Sequence, residues 1–386
     1  PKRVLLLLGG DEKWECQATD VLDLAQEFLN RVRNKITNYQ SLPEQQWDAP
    51  REACGRCRWE NQCKSARIEN DDLSLVQGIR STTRLHLISS GIKTISDLAN
   101  AEGSARPIKP HEIGRESFDN LRAQASIQIR GRGLAKPIWE IKEPIAFGLL
   151  PESDEGDIWF DMEGDPFAYE GEGLEYMFGY SYIDIGMEAG NQSKAMKFNT
   201  FDALDREEEK RAFVDFIDYV MARREKHPQM HIYHYAAYEP SAMLRLALRH
   251  GIYEFEVDEL IRDGVFVDLY TIVRRALRFS TEKLSIKNIE AVYQDRRDTR
   301  KAVTNAVDSV IQFETAMAYR NQNNLNKFQE LYDQIRDYNK DDCDSTYHLD
   351  AWLREQAAIE NVDIASIRPE ARVKFALDEE EREEPV

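Results

Sequence analysis

The chain has 386 residues, enough for two or three domains, and a content of 42% hydrophobic and 10% aromatic residues supports well-packed cores. A net charge of −19 disfavours passive coating of nucleic acid or of an anionic membrane. It leaves room for a metal-dependent enzyme whose carboxylates are offset by bound cations.

The sequence opens at Pro1, without Met, on strand-like residues 2–8, and a fragment of a longer protein is expected. Residues 14–17 read as a second short strand after the Gly9-Gly10-Asp11 turn. Asp20 then reads as the cap of an amphipathic helix with Leu22, Leu24, Ala25, Phe28, Leu29, Val32 and Ile36 on its apolar side. A hairpin and one helix bury too little to fold alone. This piece either packs on the next segment of the chain or ends a domain that begins upstream.

Cys54 and Cys57 form a C-x-x-C, and Cys63 comes after five more residues. Thiolates at such spacing hold Zn²⁺ or an iron–sulfur cluster, normally with four ligands. Only three lie here, with Cys16 upstream and Cys343 in another motif, and three ordinary thiols is the alternative. The odd total of five cysteines is no extracellular disulfide framework, so a reducing cytoplasm is expected. No secretory leader and no apolar run of membrane-spanning length is found, so no membrane partner is expected.

Residues 71–101 show two short helical periods separated by glycine-containing turns, either a helix-hairpin-helix unit or a plain helical spacer. Residues 116–129 read as a further helix and 131–151 as a linker. From residue 157 the pattern turns β-rich. Strands are expected at 157–163, 176–183 and 195–201 as an antiparallel meander, then at 230–235 and 265–267, with helices at 206–224 and 239–250. The remainder to about 358 reads as helical, and the acidic block 378–384 as a solvated tail. This order implies an α/β fold, a mixed sheet with helices on both faces.

The chemistry concentrates in this second half. In Asp157-Ile-Trp-Phe-Asp-Met-Glu-Gly-Asp165 an apolar strand runs into Asp161 and Glu163, which as residues i and i+2 share one face. Two adjacent carboxylates need a compensating cation, and hard oxygen ligands suit Mg²⁺ or Mn²⁺; two solvated acids at a strand end is the alternative. Glu239 comes after a strand and precedes Pro240, at the positive end of a helix. Tyr338 and Asp342 stand four residues apart on one helix face. The segment Lys283-Leu-Ser-Ile-Lys-Asn-Ile-Glu290 is a short amphipathic element without an evident role. Asp268 reads as a helix cap rather than a ligand. Lys287, Arg274, Arg275 and Arg278 are candidate phosphate contacts. Trp159, Tyr169, Tyr176, Tyr235 and Tyr238 are stacking candidates, though most read as core.

Asp161-x-Glu163, "HYAAYE" ending at Glu239, and Tyr338-x-x-x-Asp342, in that order, resemble the DEDD superfamily of 3′–5′ exonucleases, and more closely its YprB-type branch with an RNase H-like fold. "LSIKNIE" looks like that superfamily's connecting element. The resemblance covers about 157–358. It implies two-metal phosphodiester hydrolysis, with Asp161, Glu163, Glu239 and Asp342 holding two Mg²⁺ or Mn²⁺ ions and Tyr338 orienting the attacking water. The wider superfamily carries Asp at the position of Glu239, whose extra methylene changes the reach of that ligand. The front of the chain resembles the end of RecB-type nuclease domains, which implies a [4Fe–4S] cluster at Cys54, Cys57 and Cys63 with a fourth cysteine far upstream. Asp11, Glu12 and Asp20 do not form that family's catalytic motif.

The expected divisions are therefore 1–66, a RecB-like remnant; 67–135, a helix-hairpin-helix-like region; 136–156, a linker; 157–358, the exonuclease domain; and 359–386, an acidic tail. The expected partners are single-stranded DNA or RNA and a helicase domain. A non-catalytic nucleic-acid docking module is the competing reading.

Overall fold

The computed structural model describes residues 3–7, 13–37, 54, 57–102, 113–188, 191–294, 303 and 305–383. Chain contacts divide it into two units, Pro1–Asn70 and Asp71–Val386.

In the first unit β1 (Arg3–Leu7) pairs antiparallel with β2 (Lys13–Gln17), which runs directly into α1 (Ala18–Thr37). The helix thus begins two residues before Asp20, which lies within its first turn rather than capping it. The expected turn at 9–11 falls outside the described residues. α2 (Glu60–Glu69) comes after the first cysteines.

The second unit begins with a small helical layer: α3 (Ser81–Ser89), α4 (Ile95–Asn100) and α5 (Arg115–Gly131) close around Leu73, Leu87, Leu98 and Phe118. The two turns that separate its short elements need left-handed backbone, which Gly78 (φ +79°) and Gly91 (φ +91°) supply. Thr94 and Asp97 form a reciprocal capping box on α4.

The expected linker is not a spacer. β3 (Trp139–Ile141) and a 3₁₀ turn at Pro144–Leu149 bury Ala146, Phe147 and Leu150 in a main hydrophobic cluster. Glycine, proline and charge in this stretch suggest a loop; its apolar residues find their partner far along the chain, in the C-terminal helix.

Five strands make the central sheet. β4 (Ile158–Asp165) leads through a short α6 (Ala168–Gly171) to β5 (Leu174–Glu188), β6 (Asn191–Asp202), α7 (Arg206–Lys226), β7 (Ile232–His234), α8 (Tyr238–His250), α9 (Glu254–Arg262) and β8 (Phe266–Asp268). The sheet order is β6-β5-β4-β7-β8, antiparallel from β6 to β4 and parallel from β4 to β8. This is the expected mixed RNase H-like α/β sheet, with an antiparallel meander leading into strand–helix alternation. Period-two alternation assigns the faces of β4: Ile158, Phe160 and Met162 enter the core under α7, α8 and α9, while Trp159 enters the opposite core.

That opposite face is covered by α10 (Leu269–Ala276), β9 (Leu277–Phe279), α11 (Ile286–Ile289), α12 (Ala306–Asn321), the long α13 (Leu325–Ile359) and α14 (Ile364–Glu383). The region after 268 is therefore not wholly helical, since β9 pairs with β3. Nor is the C-terminal stretch only a solvated tail: α14 buries Ala371 and Phe375 in the core. A Cβ on Gly148 would come within 2.8 Å of the Ala371 Cβ, so turn and helix are in direct van der Waals contact. No helix among the described residues is long and apolar enough to cross a membrane.

Candidate metal centre

Alternation along β4 sends Asp161 and Glu163 to the face that carries Trp159, the face on which α13 lies. Regular β4–β5 pairing shifts between Glu163 and Gly164, immediately after the second carboxylate. Asp342 arrives from α13. One oxygen from each of Asp161, Glu163 and Asp342 lies within 4.8 Å of the others, the one such group of three potential ligands among the described residues.

Burial, and next the charges of Asp342, Glu163 and Glu239, push Asp161 well above the ordinary carboxylate range. Burial and then Asp342 push Glu163 up to about 8, against the lowering influence of the Ser309 hydroxyl, the Lys287 charge and the Asn339 amide. Carboxylates this close cannot all ionise without a cation. Hard oxygen donors suit a divalent ion of the Mg²⁺ or Mn²⁺ kind, so the acidic group can bind a divalent metal.

Glu239 stands in the first turn of α8 and is buried, at 3% exposure. Its charge raises Asp161, yet it does not belong to the group of three. Its Oε2 lies 3.3 Å from His234 Nδ1 and is a buried oxygen with no hydrogen bond. An orphaned carboxylate oxygen beside three crowded acids fits a site completed by a cation. His234 Nδ1 itself donates to the Ala236 carbonyl at 2.6 Å, and the Ala236 amide donates to Asp268 Oδ1 at 2.8 Å. These bonds pin the turn between β7 and α8, where Ala236 adopts φ +76°. Asp268 caps α10 as expected, accepting from the Tyr270 amide at 2.9 Å.

The Tyr338 phenol is hydrogen-bonded to the Lys287 ammonium, which also lies 4.3 Å from its ring centre. Burial, then Asp342, Glu163 and Asp161, push the phenol far above its usual pKa, so it remains a protonated donor. Asp161, Asp342, Tyr338 and Lys287 line a cavity of about 660 Å³, together with Tyr235 and the Gln77–Gly78 turn.

Three site residues escape sequence reasoning. Asn339, fully buried, donates from Nδ2 to Asp161 Oδ2 at 2.7 Å. Ser309 shares a hydrogen bond with the Tyr176 hydroxyl at 2.7 Å and counters the upward shift of the Glu163 carboxyl. Gly179, opposite Asp161 in the β4–β5 register, makes room for Asn339. Asn339 is adjacent to Tyr338, but only the sheet behind the helix makes it a partner of Asp161.

Other candidates separate. Trp159 and Tyr176 are core; Tyr238 donates to Glu175 at 3.0 Å, and Tyr169 accepts from the Arg206 amide at 3.0 Å. Arg275 is buried and stacks 4.3 Å from the Phe375 ring centre, while Arg274 and Arg278 line a different cavity. In the first unit the Cys57 amide donates to the Cys54 carbonyl at 3.0 Å and Cys63 lies in α2. Cys54, Cys57 and Cys63 do not form a ligand group of the kind seen at the acidic site.

Sheet order, helix placement and an acidic group at the end of the central strand define an RNase H-like domain. The sequence profile of the RNase_H superfamily matches residues 158–354, and the chain belongs to that superfamily. No curated protein and no solved structure matches the chain.

Proposed function

We propose that the protein is a metal-dependent 3′–5′ exonuclease that trims single-stranded nucleic acid, DNA in preference to RNA. Asp161, Glu163, Glu239 and Asp342 are its metal ligands. The observation that carries this reading is the convergence of Asp161, Glu163 and Asp342 within 4.8 Å, beside a cavity that Tyr338 also lines. Two bound divalent ions supply charge stabilisation for the attacking and leaving oxygens of a phosphodiester. Asn339 fixes the rotamer of Asp161, and the protonated Tyr338 phenol orients a water by hydrogen bonding rather than by taking its proton. Lys287 supplies a positive charge beside the acids that suits a scissile phosphate.

The test is the product ladder from 5′-labelled single-stranded DNA and RNA with Mg²⁺ or Mn²⁺. Stepwise shortening from the 3′ end by the wild type, absent in Asp161→Ala, supports the reading. Identical products from both proteins leave only the docking-module alternative.

The same reading assigns Cys54, Cys57 and Cys63 to a [4Fe–4S] or zinc site of the first unit, supported by their spacing, and a helicase domain as partner. Iron and zinc analysis of anaerobically purified protein tests the first of these. Protein free of both metals, with all three thiols alkylated, refutes it.

A further inference from the structure

A second cavity, of about 530 Å³, lies where the helical layer meets β9 and the end of α10. Arg80, Lys142, Arg274 and Arg278 contribute four cations to its lining, against a single acid, Glu116. Arg278 is partly satisfied by Glu140 at 2.8 Å. Among the described residues Arg80, Lys142 and Arg274 form no ion pair, and the buried Nε of Arg274 has no hydrogen-bond partner. Partial burial, then the Arg278 guanidinium, holds the Lys142 ammonium below its ordinary pKa against the opposing charge of Glu143, with Arg274 and Arg275 adding to the lowering. Positive charge is thus crowded here, in a chain whose net charge is −19.

Two helix ends add to it. First-turn residues of α3 and α5, Thr83 and Ser117, line the cavity, and neither helix has a side-chain cap: Arg80 makes no cap bond and Gly114 has no side chain. Uncapped amide groups at helix N-termini carry partial positive charge and suit anions. Gln77 and Gly78 line this cavity and the metal cavity alike. A Cβ on Gly78 would meet nothing within 4 Å, so the shared wall is bare and open.

From this arrangement we infer that the cationic cleft is a backbone-binding track for the substrate strand, gripping phosphates several nucleotides upstream of the one at the metal centre. The strand passes from one cavity to the other over the Gln77–Gly78 turn. The inference rests on the exonuclease reading for its direction. Its chemistry, a single-stranded polyanion, comes from the cleft itself. Contacts of this kind hold phosphates without reading bases.

The test is fluorescence anisotropy with 5′-labelled oligodeoxythymidylates of about 12 and about 3 nucleotides, a length range that spans a typical single-strand site. The full chain is used in an Asp161→Ala background with Mg²⁺. Adding Arg80→Glu and Lys142→Glu is expected to weaken the longer oligomer on the order of 10-fold. It should also flatten the slope of log affinity against log salt by about 1.4, two phosphates at roughly 0.7 each. The shorter oligomer, confined to the metal cavity, should lose much less. Thermal unfolding checks the fold of the variant; Arg80→Ala alone, on an exposed side chain, is the second variant and should lose affinity in the same direction. No binding of the longer oligomer by the parent, equal loss at both lengths, or an unchanged salt slope overturns the cleft. Hydrolysis by protein with native Asp161 is scored separately. Its absence with the cleft effects intact counts against the exonuclease reading alone, and its presence with an unchanged salt slope counts against the cleft alone.

Discussion

Gly179 and Asn339 exclude one another's volume: a Cβ on Gly179 would sit 1.6 Å from Asn339 Oδ1. Because Gly179 is the register partner of Asp161, a glycine in β5 decides whether α13 can approach closely enough for Asn339 to hold that carboxylate. The Cys343 thiol donates to the Gly179 carbonyl at 3.3 Å and fixes the same approach. Gly179→Ala is expected to push Asn339 off Asp161 and to destabilise the unit by about 1–3 kcal/mol, the usual cost of overpacking. Denaturant unfolding reads the stability and calorimetric Mg²⁺ titration reads the site. Wild-type values in both would show that the helix yields without consequence.

Removing Asp161 as Asp161→Ala should abolish hydrolysis, because the acidic group loses one of the three carboxylates that converge there. Tyr338→Phe should keep the fold and slow single-turnover cleavage by about 10²-fold, the scale on which a misplaced reactant costs rate. A Phe variant as fast as wild type would remove Tyr338 from the mechanism.

Glu163 yields a pH prediction. Its carboxyl sits at about 8 in the metal-free fold, against an ordinary 4.5. A carboxyl raised in this way binds its proton more tightly when folded. Its contribution to stability is complete below pH 4.5 and is lost as pH rises through about 8. The melting temperature of metal-free wild type should therefore fall relative to Glu163→Gln across that window. Mg²⁺, which competes with the proton, should bind about tenfold more tightly per pH unit for each proton displaced, levelling off above the window. Parallel pH profiles for wild type and Glu163→Gln would contradict this.

Ala236, at φ +76°, carries a side chain in backbone that disfavours one, close to Glu239. Ala236→Gly should relieve that strain and raise stability by about 0.5–1 kcal/mol after the added chain entropy of glycine. Chemical denaturation measures it. A loss of stability would mean that the Ala methyl packs more favourably than its backbone costs.

The fold of the second unit is largely readable from sequence, because β4 and the helices that cover it keep to periods of two and 3.6. Asp161, Glu163 and Asp342 declare themselves by spacing within single elements. Glu239 has the same local signature, yet its oxygen lies beside His234, a relation set by a turn that no spacing encodes. Asn339, Ser309 and Gly179 act across elements far apart in the chain and carry no local pattern. Residues 139–150 mislead for the same reason: β3 pairs with β9, and Phe147 shares a core with Phe375, contacts more than a hundred residues away in sequence.

The reach of that segment governs how the molecule can be cut. The superfamily match begins at 158 and ends at 354, but the hydrophobic cluster behind the metal centre is closed by Ala146, Phe147 and Leu150 on one side and Ala371 and Phe375 on the other. A piece trimmed to the matched boundaries would open that cluster to water along both missing edges, and would aggregate or unfold before its chemistry could be measured. A piece spanning Asp71 to about 376 keeps both closures. The unit of homology is here shorter than the unit of folding.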